Sequence, residues 1–225
     1  MRRGVTPGTA HHREEAKEAA SDAWESVAEV LEGRLCLAVV AGHACSIVPD
    51  LPDTVFIALG DGPASVRPPH RAPCCAPRRA RARAPRADAH ARRPPDAAEA
   101  YEPFCADFGP INLGHTVRFV RALAATLLGA PRARVVCVVR RSREAVSNAV
   151  YLLGAFLTLA LRAAPADTWR ALARPGGRVA PLVAPFRDAT WARAAHTVDA
   201  RACWAALRRA AACGMLDLAS FDTDE

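Results

Sequence analysis

The run Val135-Val136-Cys137-Val138-Val139 constrains this chain more than any other stretch. Five consecutive apolar residues, four of them β-branched, suit a strand buried on both faces. A helical pattern follows at once, with Val146, Val150, Leu153, Leu157 and Leu161 recurring at spacings of three and four on an inward face. A doubly buried strand feeding a helix is the unit of an α/β fold, here a central, mostly parallel sheet flanked by helices.

The rest of the chain extends that pattern. Residues 13–32 predict a helix, because Ala16, Ala20, Trp24, Val27 and Leu31 share one face and Gly33 suits its end. Leu35 to Val40 and Val55 to Leu59 predict two more buried strands. Leu113, Val117, Val120, Ala124 and Leu127 predict a helix ended by Gly129-Ala130-Pro131. Pro165 suits the first turn of another, carrying Trp169 and Leu172. After the break at Pro175-Gly176-Gly177, residues 181–185 are expected to be extended, and a last helix runs from about Thr197 to Cys213, stopped by Gly214.

The net charge of +7 suggests a nucleic-acid partner until the charges are located. Between Arg67 and Arg93 lie nine arginines against one aspartate, so this stretch alone exceeds the net charge and the remainder is slightly acidic. Residues 62–97 are almost entirely Ala, Arg and Pro, which bury too little to offset their ordering entropy, and are expected to form a disordered insertion. Residues 1–12 are expected to be disordered as well. The N-terminus has no apolar core of a secretory signal. The longest uncharged apolar stretch, about residues 149–161, falls short of the roughly 20 that a bilayer requires. An intracellular chain, in nucleus or cytoplasm, with eight reduced cysteines is therefore expected.

Those cysteines offer no metal site. None are three apart, Cys74-Cys75 is a vicinal pair in the arginine run, and His43-Ala44-Cys45 is too small a cluster. Cys36, Cys105, Cys203 and Cys213 fall on apolar positions and are expected in the core. No glycine-rich nucleotide loop exists, and no cofactor is expected. Cys137 and Arg143 satisfy Cys-x5-Arg between a strand and a helix, the layout of cysteine phosphatases. Such a loop curls around a dianion and needs glycine where φ is positive, yet no glycine stands between them. A buried strand cysteine is the better reading.

Beyond residue 98 a resemblance emerges. Tyr101-Glu102-Pro103-Phe104-Cys105-Ala106-Asp107-Phe108-Gly109-Pro110-Ile111-Asn112-Leu113 is similar to the YENFxADFGPLNL block of the cell-division-cycle-fourteen dual-specificity phosphatases. The similarity continues through Ser147-Asn148-Ala149, Leu152 to Phe156, Trp169 to Leu172 and Pro185-Phe186-Arg187-Asp188-Ala189. It ends on Gly214 to Leu218 and Phe221-Asp222-Thr223-Asp224-Glu225.

These blocks resemble the family's N-terminal domain, a degenerate dual-specificity-phosphatase-like fold without catalytic activity. The resemblance therefore implies residues 98–225 as that domain, with residues 13–61 as its first helix and strands. Matching the strand–helix junction puts Cys137 on a family histidine, the degenerate nucleophile position on Val138 and the arginine position on Glu144. An apolar side chain and an anion there hold no phosphate, so Val138 and Glu144 form a pseudo-site and no catalytic residue is expected. Ala164 replaces the threonine N-cap of the family's next helix.

In relatives the active cysteine loop lies in a second domain, after a linker that would begin near Glu225. Asp222, Asp224 and Glu225 are then expected to border an acidic substrate groove. The partners implied are phosphoproteins with phosphoserine followed by proline and a nearby basic residue. Cell-division control is the implied setting. Two other readings are a stand-alone pseudophosphatase that binds proteins, and an RNA or acidic-surface binder acting through the arginine run.

Overall fold

Three parallel strands stand at the centre of the protein, and both edges of their sheet are closed by antiparallel strands. The computed structural model describes residues 24–41, 53–59, 66–67, 101–174 and 178–223. In chain order these form β1 (Trp24–Leu31), β2 (Leu35–Val40), β3 (Thr54–Leu59), β4 (Val66–Arg67), α1 (Leu113–Gly129), β5 (Arg134–Arg140), α2 (Arg143–Leu159), α3 (Pro165–Leu172), a single 3-10 turn (Ala180–Leu182), β6 (Phe186–Arg187), β7 (Thr197–Val198) and α4 (Ala200–Ala212). The main sheet has the order β1-β2-β5-β3-β4. β5 pairs in parallel with β2 on one side and β3 on the other, so the strand with the run of five apolar residues is the innermost.

Period-two alternation sorts the strands into two faces. Leu35, Leu37, Val39, Val55, Ile57, Leu59, Val135, Cys137 and Val139 join one core cluster with the inward faces of the described α-helices. Cys36, Ala38, Val40, Phe56, Ala58, Val136 and Val138 form the opposite cluster, on which Trp24 packs. α2 is the hub, touching α1, α3, α4 and β5. Trp204 of α4, fully buried, lies so close over Gly154 of α2 that a Cβ would collide with its indole, whose N–H donates to the Tyr151 carbonyl at 3.0 Å.

Several expectations need correction. Residues 24–31 are a strand, not the end of a helix, and residues 13–23 lie outside the described ones. The glycine signal was real but belongs to a hairpin: Gly33, with φ +65°, turns the chain between β1 and β2. As an edge strand β1 leaves Val27 49% exposed while Ser26 and Val30 are buried, a pattern short of clean alternation. Within the span 62–97, Val66–Arg67 pairs antiparallel with β3, and the other residues lie outside the described ones. The last helix starts at Ala200, capped by Asp199, whose side chain accepts from Ala202 N–H at 2.8 Å, because Thr197–Val198 pairs with β6 instead. Residues 180–182 coil once before the extended stretch. α2 ends at Leu159, so Leu161 points away from the core at 49% exposure. Cys213 is exposed, and Cys105 and Cys203 are half-buried, where core positions were expected.

Candidate functional site

The β5–α2 junction is the place where a cysteine phosphatase carries its loop. Here β5 runs through to Arg140, the Arg141 N–H still donates to the Val40 carbonyl at 2.8 Å, and Ser142 already caps α2, its hydroxyl accepting from Ala145 N–H at 3.0 Å. Two residues join strand to helix, too few to encircle an oxyanion. Cys137 sits in mid-strand between Leu37 and Ile57, wholly buried. Burial pushes its thiol up to about 12, and Cys36 nearby adds to the effect. A thiol of that kind is protonated and unreachable. Val138 is buried in the opposite face of the sheet. Glu144 is exposed in the first turn of α2, where an anion suits the helix dipole and repels a phosphate.

The block Tyr101–Leu113 does structural work. The Asp107 carboxylate accepts from the Tyr101 hydroxyl, from Cys105 N–H at 2.6 Å and from Phe104 N–H at 3.3 Å. The Tyr101 hydroxyl and then the Cys105 amide hold that carboxyl down to about 2. Burial first, and the bond to Asp107 second, pushes Tyr101 up to about 12. Gly109, at φ +154°, lets the chain press against Asn148 and Phe186, where a Cβ would collide with both. Asn148 Nδ2 donates to the Phe108 carbonyl at 2.5 Å, and the Phe186 ring packs 5.6 Å from Phe108 and 5.9 Å from Tyr151. Asn112 then caps α1, accepting from His115 N–H at 2.8 Å.

The Phe186-Arg187-Asp188 motif closes the β6–β7 hairpin. Arg187 Nη2 donates to the Thr190 carbonyl at 3.1 Å and also to that of Ala192, while Asp188 Oδ2 accepts from Ala195 and His196 N–H groups at 3.1 and 3.3 Å. At α3, Ala164 supplies no side-chain cap, and Pro165 occupies the first turn.

The C-terminal segment carries the expected acidic residues. Leu216 is buried, and Leu218 and Phe221 pack on the core as anchors. Asp217 accepts from the Ser220 hydroxyl at 2.7 Å and from Ala219 N–H at 3.1 Å, bonds that lower its carboxyl pKa. Asp222 is exposed beyond them, and Asp224 and Glu225 lie outside the described residues. The structure thus keeps the pseudo-site pair Val138 and Glu144 apart, one buried in the sheet and one on the helix surface. Two residues that sequence reading passed over hold the tail. Arg121 Nε donates to the Leu218 carbonyl at 2.6 Å and its Nη2 to that of Phe221 at 2.7 Å, and Arg118 Nη1 donates to that of Thr223 at 3.3 Å. Their local signal, basic residues three apart on α1, is lost among 29 arginines. No group of three or more metal-ligating side chains is placed to hold an ion among the described residues.

Residues 88–210 match the family model of the N-terminal half of dual specificity protein phosphatases. The chain is similar to the dual specificity protein phosphatase CDC14A of Homo sapiens, 32% identical over 130 residues, covering 56% of this chain and 21% of the relative. It is also similar to CDC14A of Mus musculus, 30% identical over 127 residues with the same two coverages. The tyrosine-protein phosphatase CDC14 of Candida albicans is 32% identical over 127 residues, covering 56% of this chain and 23% of that protein. The chain spans about a fifth of the length of these curated relatives.

Proposed function

Because this chain belongs to the dual specificity phosphatase N-terminal-half family, we propose that it is the substrate-recognition and scaffold half of a tyrosine and serine/threonine protein phosphatase, itself devoid of a catalytic cysteine loop. The β5–α2 junction carries the reading. A nucleophile needs a low-pKa, accessible thiolate, with amides and a guanidinium converging on the phosphoryl oxygens. At the junction the thiol is buried and protonated, the next residue is an apolar strand residue, and the following helix opens with an anion at Glu144. What the chain offers a phosphoprotein is a rigid α/β body with acidic residues following its last helix.

The substrates on this reading are phosphoproteins in which phosphoserine precedes proline and a basic residue follows. Hydrolysis belongs to a second, catalytic domain, and Asp222, Asp224 and Glu225 draw the basic residue towards it. No described helix is long and apolar enough to cross a membrane. The purified chain should hydrolyse aryl phosphates and phosphopeptides no faster than its Cys137→Ser variant. Cysteine-dependent turnover by the unaltered chain would overturn the reading.

A further inference from the structure

Arg34, Arg118, Arg121 and Arg187 each donate to main-chain carbonyls. Two of these act together on one segment. Gly114, Arg118 and Arg121 stand four and three residues apart, so they form a stripe along one side of α1. Residues 218–223 lie along that stripe. Arg121 forks across the carbonyls of Leu218 and Phe221 at 2.6 and 2.7 Å, and Arg118 reaches that of Thr223 at 3.3 Å. At Gly114 the segment comes so close that a Cβ would lie 3.0 Å from the Thr223 oxygen.

We infer that Gly114, Arg118 and Arg121 are positioning residues, a track that fixes the path of the C-terminal segment and so sets where the carboxylate of Asp222 stands towards a basic substrate residue. The assignment rests on the recognition role proposed above for the acidic tail. Its physical basis is the type of bond. Bonds from charged donors are about twice as strong as neutral ones, and three of them reach backbone carbonyls of this segment. Docking through the backbone fixes the path of the chain whatever its side chains do, and Ser220 and Asp222 are exposed along it. Leu216 and the packed Leu218 and Phe221 anchor the segment, and the guanidinium groups fix its direction from Leu218 to Thr223. A lysine cannot replace Arg121, because a single ammonium does not span two carbonyls in a planar fork.

The test uses the full chain, alone and joined to the catalytic half of a related enzyme. Hydrogen exchange in Arg118→Ala/Arg121→Ala should quicken at amides 218–223 by about tenfold or more, with β5 and α2 unchanged. Arg121→Lys should fail to restore protection. Gly114→Ala, which favours the helix yet crowds Thr223, should quicken the same amides if the double variant does not fold. In the joined protein each of these changes should raise KM for a basic phosphopeptide about threefold or more and leave kcat, and turnover of an aryl phosphate that carries no basic group, unaltered. Unchanged exchange would overturn the track. Faster exchange with an unchanged KM would overturn its positioning role, provided that Asp222→Asn/Asp224→Asn/Glu225→Gln still raises KM. If that acidic variant also leaves KM unchanged, the recognition role itself fails, and the positioning role with it.

Discussion

Leading into the β5–α2 junction, the side chains of Val135 to Val139 are buried and the backbone is taken up by the sheet. Along residues 216–223 the backbone is held by arginines and several side chains face water. In the first region nothing is left open for a ligand within the strand: Cys137 and Val138 sit in opposite core clusters. The second has no regular secondary structure, yet Leu216, Leu218 and Phe221 anchor it and Arg118 and Arg121 bind its carbonyls. Position within a fold and capacity for chemistry are thus separate properties. A strand–helix junction becomes a site only if its backbone leaves the ladder early enough to turn amides towards a ligand.

Thiol labelling sharpens this contrast most. Cys137 is fully buried with its thiol pushed up to about 12, whereas Cys213 is exposed just before the C-terminal segment. Iodoacetamide at pH 8 should modify Cys213 at least about a thousandfold faster than Cys137, which reacts only through opening of the sheet. Mass spectrometry of the timed reaction reads both sites at once. Comparable rates would mean that β5 opens readily and that the junction is no sealed core.

Most of the sheet and helices were legible because burial writes periodicity into sequence. β5, α1, α2 and α3 fall where their apolar spacing put them. β1 was misread for a physical reason: an edge strand is only partly covered, and Ala, Trp, Val and Leu at spacings of three and four fit a helix as well. Gly33 added a stop signal that a hairpin and a helix end share. The burial of Cys137 was legible from the residues, since valines surround it and no glycine stands before Arg143, whereas the pairing of Val138 with Glu144 rests on the family resemblance alone. The arginine track was not legible at all. Its bonds join residues 97 to 105 positions apart and grip carbonyls, which every residue has.

A smaller effect is expected at the Tyr101–Asp107 pair, which braces the loop leading into α1. Asp107 titrates near 3.8 in an unfolded chain and at about 2 in the fold, held down by the Tyr101 hydroxyl and the Cys105 amide. A depressed folded value contributes stability fully above about 4, and that contribution is lost as pH falls from there to about 2. Tyr101, raised from 10 to about 12, contributes below about 10 and loses its contribution as pH climbs to 12. Asp107→Asn should therefore flatten the acid limb of the unfolding midpoint against pH and shorten the alkaline one. An unchanged acid limb in Asp107→Asn would remove this pair from the account of pH stability.

The smallest effect belongs to the acidic tail, and its smallness is the point. A surface substitution usually shifts stability by about 0.5 kcal/mol or less, so Asp222→Asn, Asp224→Asn and Glu225→Gln, each made singly, should change folding stability by no more than that. The fold's anchors at Leu216, Leu218 and Phe221 and the arginine bonds to the backbone are untouched by those substitutions. What should change is discrimination. Joined to a related catalytic half, the triple variant should prefer a basic phosphopeptide over a neutral one less strongly, by about three- to tenfold at low salt. The screening length shortens from about 30 Å at 0.01 M to about 10 Å at 0.1 M, so the difference between wild type and variant should shrink as salt is added. A preference that survives neutralisation at 0.01 M salt would show that recognition of the basic residue lies elsewhere. A large loss of stability instead would show that these carboxylates hold the fold, as the side chains at the junction do.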